Sequence, residues 1–550
     1  MSHVLPRLSL LLIVLGLAPL ASADTIFVDA QLATGLNDGS SWSDAFQGSN
    51  GLQDALAVAT SGDDIFVADG EYLPSNTGDR SASFALKNGV TIYGSFAGGE
   101  TGPDDRPPFG TADSVLNGDL AGDDGALQFS ENSFHLITTS GTNSTAVLDG
   151  FVVTSGNASA SGANRDRGAG ILCIGNVSPT IRHCRFIANR CVFGGAAGYV
   201  NNGGSPSFTD CTFEDGVGGS FGGAFDIAGA RATFLRCLFR GNTAARGGAL
   251  ELFANTGTEV DSCVIVDNTA TGGSGGAGIW LGSSGSARVR NCTIVSNTAT
   301  NQANAGIRNQ GVSNFQVYNS ILWDNTGVGG GQGAGNQVNA STSVFNSLVQ
   351  GGFARGSGNV SGDPLFADAA NLNFTPGAAS PVIDAGDNTE VLTALDYMGN
   401  PRQVDVPGVV DTGIGTAPLV DMGAVERQSV WVDLGGALAG TNGNPSLTMT
   451  GPLTPGSPNA AALSNTAASA LCVIFAGFTQ VNMPLQGGVL IPEPDFIRFM
   501  FSSPSGTLNL PFNWPTNLPS GFESYYQIWT EDAGAIADYS ASNGVQGTTP

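Results

Sequence analysis

A cysteine or serine recurs at Cys184, Cys211, Cys237, Cys263, Cys292, Ser320 and Ser347, in steps of 27, 26, 26, 29, 28 and 27 residues. A fixed step of this size narrows the fold more than any other feature, because it requires one small unit stacked on copies of itself. Three residues ahead of each member stands an apolar residue: Ile181, Phe208, Phe234, Val260, Val289, Val317 and Val344. Two residues behind stands another: Phe186, Phe213, Phe239, Ile265, Ile294, Leu322 and Val349. Five residues behind comes Asn189, Gly216, Asn242, Asn268, Asn297, Asn325 or Gly352, types that tolerate a left-handed backbone and are expected at the turns.

A second motif keeps the same step: GAGIL (168–172), GGAFDI (222–227), GGALEL (247–252), GGAGIW (275–280) and NAGIRN (304–309). Each period thus holds about three short strands separated by Gly, Asn and Ser turns, with no amphipathic helix between them. The crossover helices of an α/β sheet are missing. The pattern predicts an all-β chain: a right-handed, single-stranded parallel β-helix with about 27 residues per coil. LQDALAVA (52–59) is the amphipathic run suited to cap its first coil. The expected organisation is a cap with irregular coils over 24–145, regular coils over 146–362, an end segment over 363–427, and a C-terminal β-sandwich over 428–550. Prolines and short apolar runs such as ALCVIFAGF (470–478) support the last of these. A regular column of small inward residues, in which serine replaces cysteine, predicts buried free thiols rather than disulfides.

Residues 1–23 read as a secretory signal: an arginine, the apolar run Leu8 to Leu17, then Ala21-Ser22-Ala23. The chain is therefore expected to be secreted or held at the cell surface, without a transmembrane segment after cleavage. The remaining 19 basic and 46 acidic residues carry a net charge of −27, which argues against nucleic acid as a partner. Lys87 is the single lysine, and only His135 and His183 follow the signal.

FIAN (186–189) and FRGN (239–242), alternating with GGAF (222–225) and GGAL (247–250), resemble the repeats of polymorphic outer-membrane proteins. Those are β-helical surface proteins, several of them adhesins. GDPLF (362–366), SPVIDAGDN (380–388), MGNPR (398–402) and VDMGAVE (420–426) resemble the end segment of β-helix proteins of the choice-of-anchor Q type. That resemblance implies a secreted solenoid whose coils end near residue 427, followed by an anchoring or accessory module. The last ~120 residues are too few for the barrel of an autotransporter.

Strand alternation places Ile171, Tyr199, Phe225, Leu250, Ile279 and Ile307 inside, so the outward column reads Leu172, Val200, Asp226, Glu251, Trp280 and Arg308. Gly170, Gly198, Ala224, Ala249, Gly278 and Gly306 would form a shallow outward floor beside it. An indole, two carboxylates and a guanidinium on such a floor suit a sugar chain, so Asp226, Glu251, Trp280 and Arg308 form the candidate ligand groove. Asp226 and Glu251, one coil apart, are also the candidates for acid and nucleophile in glycoside cleavage. The alternative is an ordinary solvated face.

Pectate-lyase-like enzymes resemble this chain in fold, which implies polysaccharide cleavage as a competing function. Their motifs do not follow: GDD stands at 62–64 and 122–124, outside the regular coils, while GHG and RIK are absent. Lys87 lies near the cap, and Arg308 stands two coils, roughly 10 Å, from Glu251. His183 borders the cysteine column and reads as structural. No cofactor is expected unless Ca²⁺ is recruited by the Asp226 and Glu251 pair or binds at Asp104-Asp105, Asp119 or Asp123-Asp124, clusters that do not follow EF-hand spacing. The outward positions of the cysteine strand turn apolar at Val264, Val266, Val295, Ile321, Trp323 and Leu348, so 363–427 or the C-terminal module is expected to cover them. The resulting expectation is a non-catalytic β-helix that binds polysaccharide or a cell-surface component. A polysaccharide lyase or glycoside hydrolase is the first alternative and a structural matrix component the second.

Overall fold

The computed structural model describes residues 24–282, 285–328, 331–406, 409–519 and 521–549, so the expected signal lies outside the described residues. The chain divides into two compact units. The first runs to Glu259 and takes in Val266–Ala287 and Asn297–Val312; the second holds Val260–Ile265, Arg288–Ser296 and Ser313–Pro550.

The first unit is a right-handed parallel β-helix. One of its sheets stacks Ile171–Ile174, Gly198–Asn201, Phe225–Ala228, Leu250–Phe253, Ile279–Gly282 and Ile307–Asn309, one strand per coil and all parallel. Six consecutive coils have a fourth strand beyond the three expected, only two residues long, as at Thr243–Ala244, Thr269–Ala270 and Thr298–Ala299. Two residues are too few to show periodicity, which is why it was invisible in the sequence. The first coils carry long loops, and the helix Gly51–Val58 buries Leu52, Ala55 and Leu56 against them.

The turns are built differently from expectation. Asn189, Asn242, Asn268 and Asn297 are not the left-handed residues; their predecessors Ala188, Gly241, Asp267 and Ser296 take φ of 54°, 66°, 57° and 54°. The asparagine side chains point inward and form a buried ladder. Asn268 Nδ2 donates to Asn297 Oδ1 at 2.9 Å and to Phe239 O at 3.0 Å, while its own Oδ1 accepts from Asn242 N at 3.0 Å and Nδ2 at 2.9 Å.

The coil at 198–201 is also displaced by one residue from expectation. Leu172 pairs with Tyr199 and Tyr199 with Asp226, so Tyr199 belongs to the outward row and Val200 to the core. Gly198 takes the inward place because the Phe225 ring fills it: a Cβ there would meet Phe225 Cε1 at 2.2 Å. The expected outward floor fails for the same reason. A Cβ on Gly170 would fall 2.7 Å from Phe186 Cδ1, so this small residue makes room for a core phenylalanine.

In the second unit, Thr293–Val295, Ile321–Trp323 and Leu348–Val349 pair as parallel strands. The cysteine column shows why serine replaces cysteine. Cys263 N donates to Cys292 Sγ at 3.5 Å, Cys292 N to Ser320 Oγ at 3.1 Å, and Ser320 N to Ser347 Oγ at 3.0 Å. All eight cysteines are free and buried. The apolar outer face is covered by the 363–427 segment at its end: Val382, Ala385 and Met422 pack on Ile321 and Leu348, with Trp323 against them. Antiparallel sheets follow. Trp431–Gly435, Leu471–Gly477, Phe496–Phe501, Glu523–Glu531 and Gly544–Thr548 form one, and Ser446–Thr450, Pro458–Ser464 and Leu508–Asn513 another. The two share a core of Trp431, Leu447, Met449, Leu463, Ile528 and Val545.

Candidate functional site

The structure places Asp226, Glu251, Trp280 and Arg308 in one registered row on consecutive coils, with Leu172 and Tyr199 ahead of them. The row is not an open groove. Asp226, Glu251 and Trp280 are only 2%, 1% and 3% exposed, and Arg308 alone of the four is half-buried.

What seals the row is a second row that sequence reasoning missed. The residue immediately ahead of the left-handed glycine in each coil is Arg167, Gly194, Phe221 or Arg246, and these four align as a parallel ladder. Those glycines, Gly168, Gly195, Gly222 and Gly247, have φ of 61°, 70°, 47° and 62°, and a Cβ on Gly222 would strike Phe225 O at 1.9 Å. The sharp corner folds the preceding side chain back over the strand. At Gly194 a Cβ would lie 2.7 Å from Asp226 Oδ2, so the coil leaves that place empty and Phe193 fills the row instead.

Arg246 donates from Nη2 to Glu251 Oε1 at 2.7 Å and from Nε to both carboxylate oxygens at 3.1 Å. Arg167 Nη1 lies 3.3 Å from Asp226 Oδ2 and 3.3 Å from the Tyr199 hydroxyl. The guanidinium carbons stack on aromatic rings: Arg167 on Phe193 at 3.9 Å, Arg246 on Phe221 at 4.1 Å and on Trp280 at 4.2 Å. Phe193 and Phe221 meet edge to face at 4.6 Å. The outer surface is therefore a continuous strip, Arg167, Phe193, Phe221 and Arg246, lying over a buried acidic floor. Arg308 lies farther along the axis, bonded to Asn304 Oδ1 at 2.8 Å.

Burial pushes the Asp226 carboxyl up to about 6, against the pull of Arg167 and Arg246. Burial likewise pushes Glu251 up to about 7; the Arg246 bond opposes the rise and the Asp226 charge adds to it. Such values suit a proton donor. Access does not, because each carboxylate is bonded to an arginine and screened from a substrate by it.

The remaining candidates have structural work. Lys87 Nζ donates to Leu56 O and, at 3.0 Å, to Ala59 O, closing the C-terminal end of the helix Gly51–Val58. His183 Nδ1 sits 2.9 Å from Asp149 Oδ1, and the ring stacks on Phe109 at 4.9 Å. His135 Nδ1 meets Gly168 O at 3.0 Å, and burial lowers its pKa. Burial raises the thiols of Cys173, Cys184 and Cys191 to about 12, which leaves them unreactive.

Of the expected calcium residues, Asp119, Asp123 and Asp124 come together with Glu131, one oxygen of each lying within 4.8 Å of the others. Asp104 and Asp105 are not in that group. Asp119 is already satisfied: its oxygens accept the N–H groups of Gly122, Asp123 and Asp124 at 2.7, 3.2 and 3.0 Å. In the C-terminal module a cleft of about 890 Å³ is lined by Phe478, Phe496, Trp514 and Phe522 with Arg498 at its edge.

Residues 169–349 match the family model for the right-handed β-helix region, which coincides with the coils described above. No curated protein matches the chain. Among solved structures, the enzymatically active domain of tailspike protein 4 of bacteriophage CBA120 aligns at 13% identity with a TM-score of 0.21. The alignment covers 91% of this chain, which spans 63% of the length of that structure.

Proposed function

We propose that the protein is a non-catalytic β-helix that binds polysaccharide on the first unit, acting outside the cell as a secreted or surface-held protein. The observation that carries this reading is the strip Arg167, Phe193, Phe221 and Arg246. Its half-buried aromatic rings and guanidinium planes follow the coil axis at a repeat of about 4.8 Å per coil. Sugar C–H faces stack on such rings, and the guanidinium nitrogens that do not face Asp226 or Glu251 are donors for hydroxyl or carboxylate oxygens. Asp226 and Glu251 then neutralise the arginines and fix their orientation. Trp280 supports Arg246 from below, and Arg308 extends the face toward the next coil.

The test is binding of the mature chain to a panel of acidic and neutral polysaccharides, read together with new reducing ends. The expected result is retention by at least one polysaccharide without release of reducing ends, weakened at least tenfold in an Arg167→Ala/Phe221→Ala variant. Reducing ends that appear with the wild type and vanish in Asp226→Asn/Glu251→Gln would replace this reading with glycoside hydrolysis. Equal retention by the wild type and Arg167→Ala/Phe221→Ala would remove the strip from it.

A further inference from the structure

The segments 380–388 and 420–427 bury an unusual number of charged groups, and nearly all of them are satisfied. Asp421 accepts the N–H groups of Asp384 at 2.8 Å and Arg427 at 2.7 Å. Glu426 accepts those of Asp421 at 3.0 Å and Val404 at 3.1 Å. Asp384 is the exception. It is 0% exposed, yet neither of its carboxylate oxygens has a hydrogen-bond partner. What it faces instead is two more carboxylates: one oxygen each of Asp384, Asp405 and Asp411 lie within 4.8 Å of one another.

A bare buried carboxylate is costly, and aiming two others at it raises the cost. Burial first, then the charges of Asp421, Asp405 and Asp411, push the Asp384 carboxyl up to about 7; the Val406 N–H opposes the rise from outside hydrogen-bonding geometry. A positive charge held between the three would turn each of these penalties into an attraction. We propose that Asp384, Asp405 and Asp411 bind a Ca²⁺ ion.

The geometry fits the size of the ion. Oxygens bound at about 2.4 Å to one Ca²⁺ cannot be more than about 4.8 Å apart, and these three satisfy that limit. An all-oxygen donor set selects a hard cation over zinc or copper. Two of the ligands, Asp405 and Asp411, are exposed, which suits the adaptable coordination of Ca²⁺. In the Asp119 cluster, Asp123 Oδ1 and Glu131 Oε1 are also without partners, but its most buried carboxylate, Asp119, already accepts three backbone N–H groups, whereas Asp384 has no partner at either oxygen. The ion would fasten Asp405 and Asp411 to the 380–388 turn beside the existing bonds of Thr412 N and Gly413 N to Asp384 O, both 3.0 Å.

The experiment uses the full mature chain stripped with EDTA. Bound Ca²⁺ is counted by competition with a chromophoric chelator, and Tm is measured with and without Ca²⁺. Asp405→Asn/Asp411→Asn changes two exposed residues and keeps the fold; Asp384→Asn is the second variant. Asp123→Asn/Asp124→Asn accounts for any ion held by the other cluster. The expected result is that each of the first two variants loses one bound ion, or binds it at least tenfold more weakly, and loses most of the Ca²⁺-dependent rise in Tm. A Ca²⁺ count and Tm rise equal to wild type in Asp405→Asn/Asp411→Asn would overturn the proposal. So would a wild-type chain that takes up no Ca²⁺ at millimolar concentration, which would leave Asp384 a protonated acid.

Discussion

At the scale of single residues, Asp226 and Glu251 hold their protons more tightly in the folded chain than out of it, and this fixes the sign of a pH effect. Their carboxyls rise from 3.8 to about 6 and from 4.5 to about 7. In the window between these values the folded chain binds protons that the unfolded chain has released. The stability they contribute is therefore complete below about pH 4 and is lost as pH rises through 6 and 7, at about 3 kcal/mol for each group. Asp226→Asn/Glu251→Gln removes this dependence. Thermal melts should show the variant gaining on wild type steadily from pH 5 to pH 8 and exceeding it at the upper end; parallel profiles would mean that the arginines hold both carboxylates ionised throughout. Arg246→Ala should act oppositely. It leaves the Glu251 carboxyl, 1% exposed, without its cation, and is expected to lower stability at pH 8 by about 3–5 kcal/mol.

At the scale of the coil, two inward polar columns look alike in sequence and differ in what they hold. The cysteine column makes bonds that a hydroxyl makes equally well, as Ser320 and Ser347 demonstrate, so Cys292→Ser should change stability by no more than about 1 kcal/mol. The asparagine column has no such substitute. Asn268→Ala would strip acceptors from Asn242 N and Nδ2 and a donor from Phe239 O, all buried, and should cost about 2–4 kcal/mol in denaturant melts. A loss near zero would show that water replaces the side chain in the stack. The period and the inward apolar positions were legible because one fold requirement repeats at every coil. The Arg167, Gly194, Phe221, Arg246 row was not, because its members share a backbone position and no residue type: two cations, an aromatic and a glycine present no pattern to periodicity. The same limit produced the slip at Tyr199, whose inward neighbour is a glycine standing aside for Phe225 on the next coil. Elsewhere in the row alternation named the members, Leu172, Asp226, Glu251, Trp280 and Arg308; only the corner geometry decides whether that row meets solvent.

At the scale of the molecule, a solenoid has no natural end, and each coil relies on its neighbour for cover. In the second unit that cover comes from the 363–427 segment. Ile321 and Leu348 are 1% and 0% exposed because Val382, Ala385 and Met422 lie on them, and Arg402 Nη2 ties the segment to Asn291 O at 3.2 Å. Removing the segment would expose an apolar strand face together with its open edge, the combination that drives aggregation. A chain ending at residue 362 should therefore be insoluble or aggregate on mild heating, and limited proteolysis should release no lasting 24–362 fragment. A graded version avoids confusing loss of cover with failure to fold. Met422→Ala deletes one buried contact at the seam, with an expected cost of about 2–4 kcal/mol. Because contacts in a stacked array are between neighbours, the damage should stay local. Protease cuts in Met422→Ala should begin within 363–427, with the coils of the first unit protected as in wild type; cuts that start in those coils would show that the segment stabilises the whole array rather than its last turns.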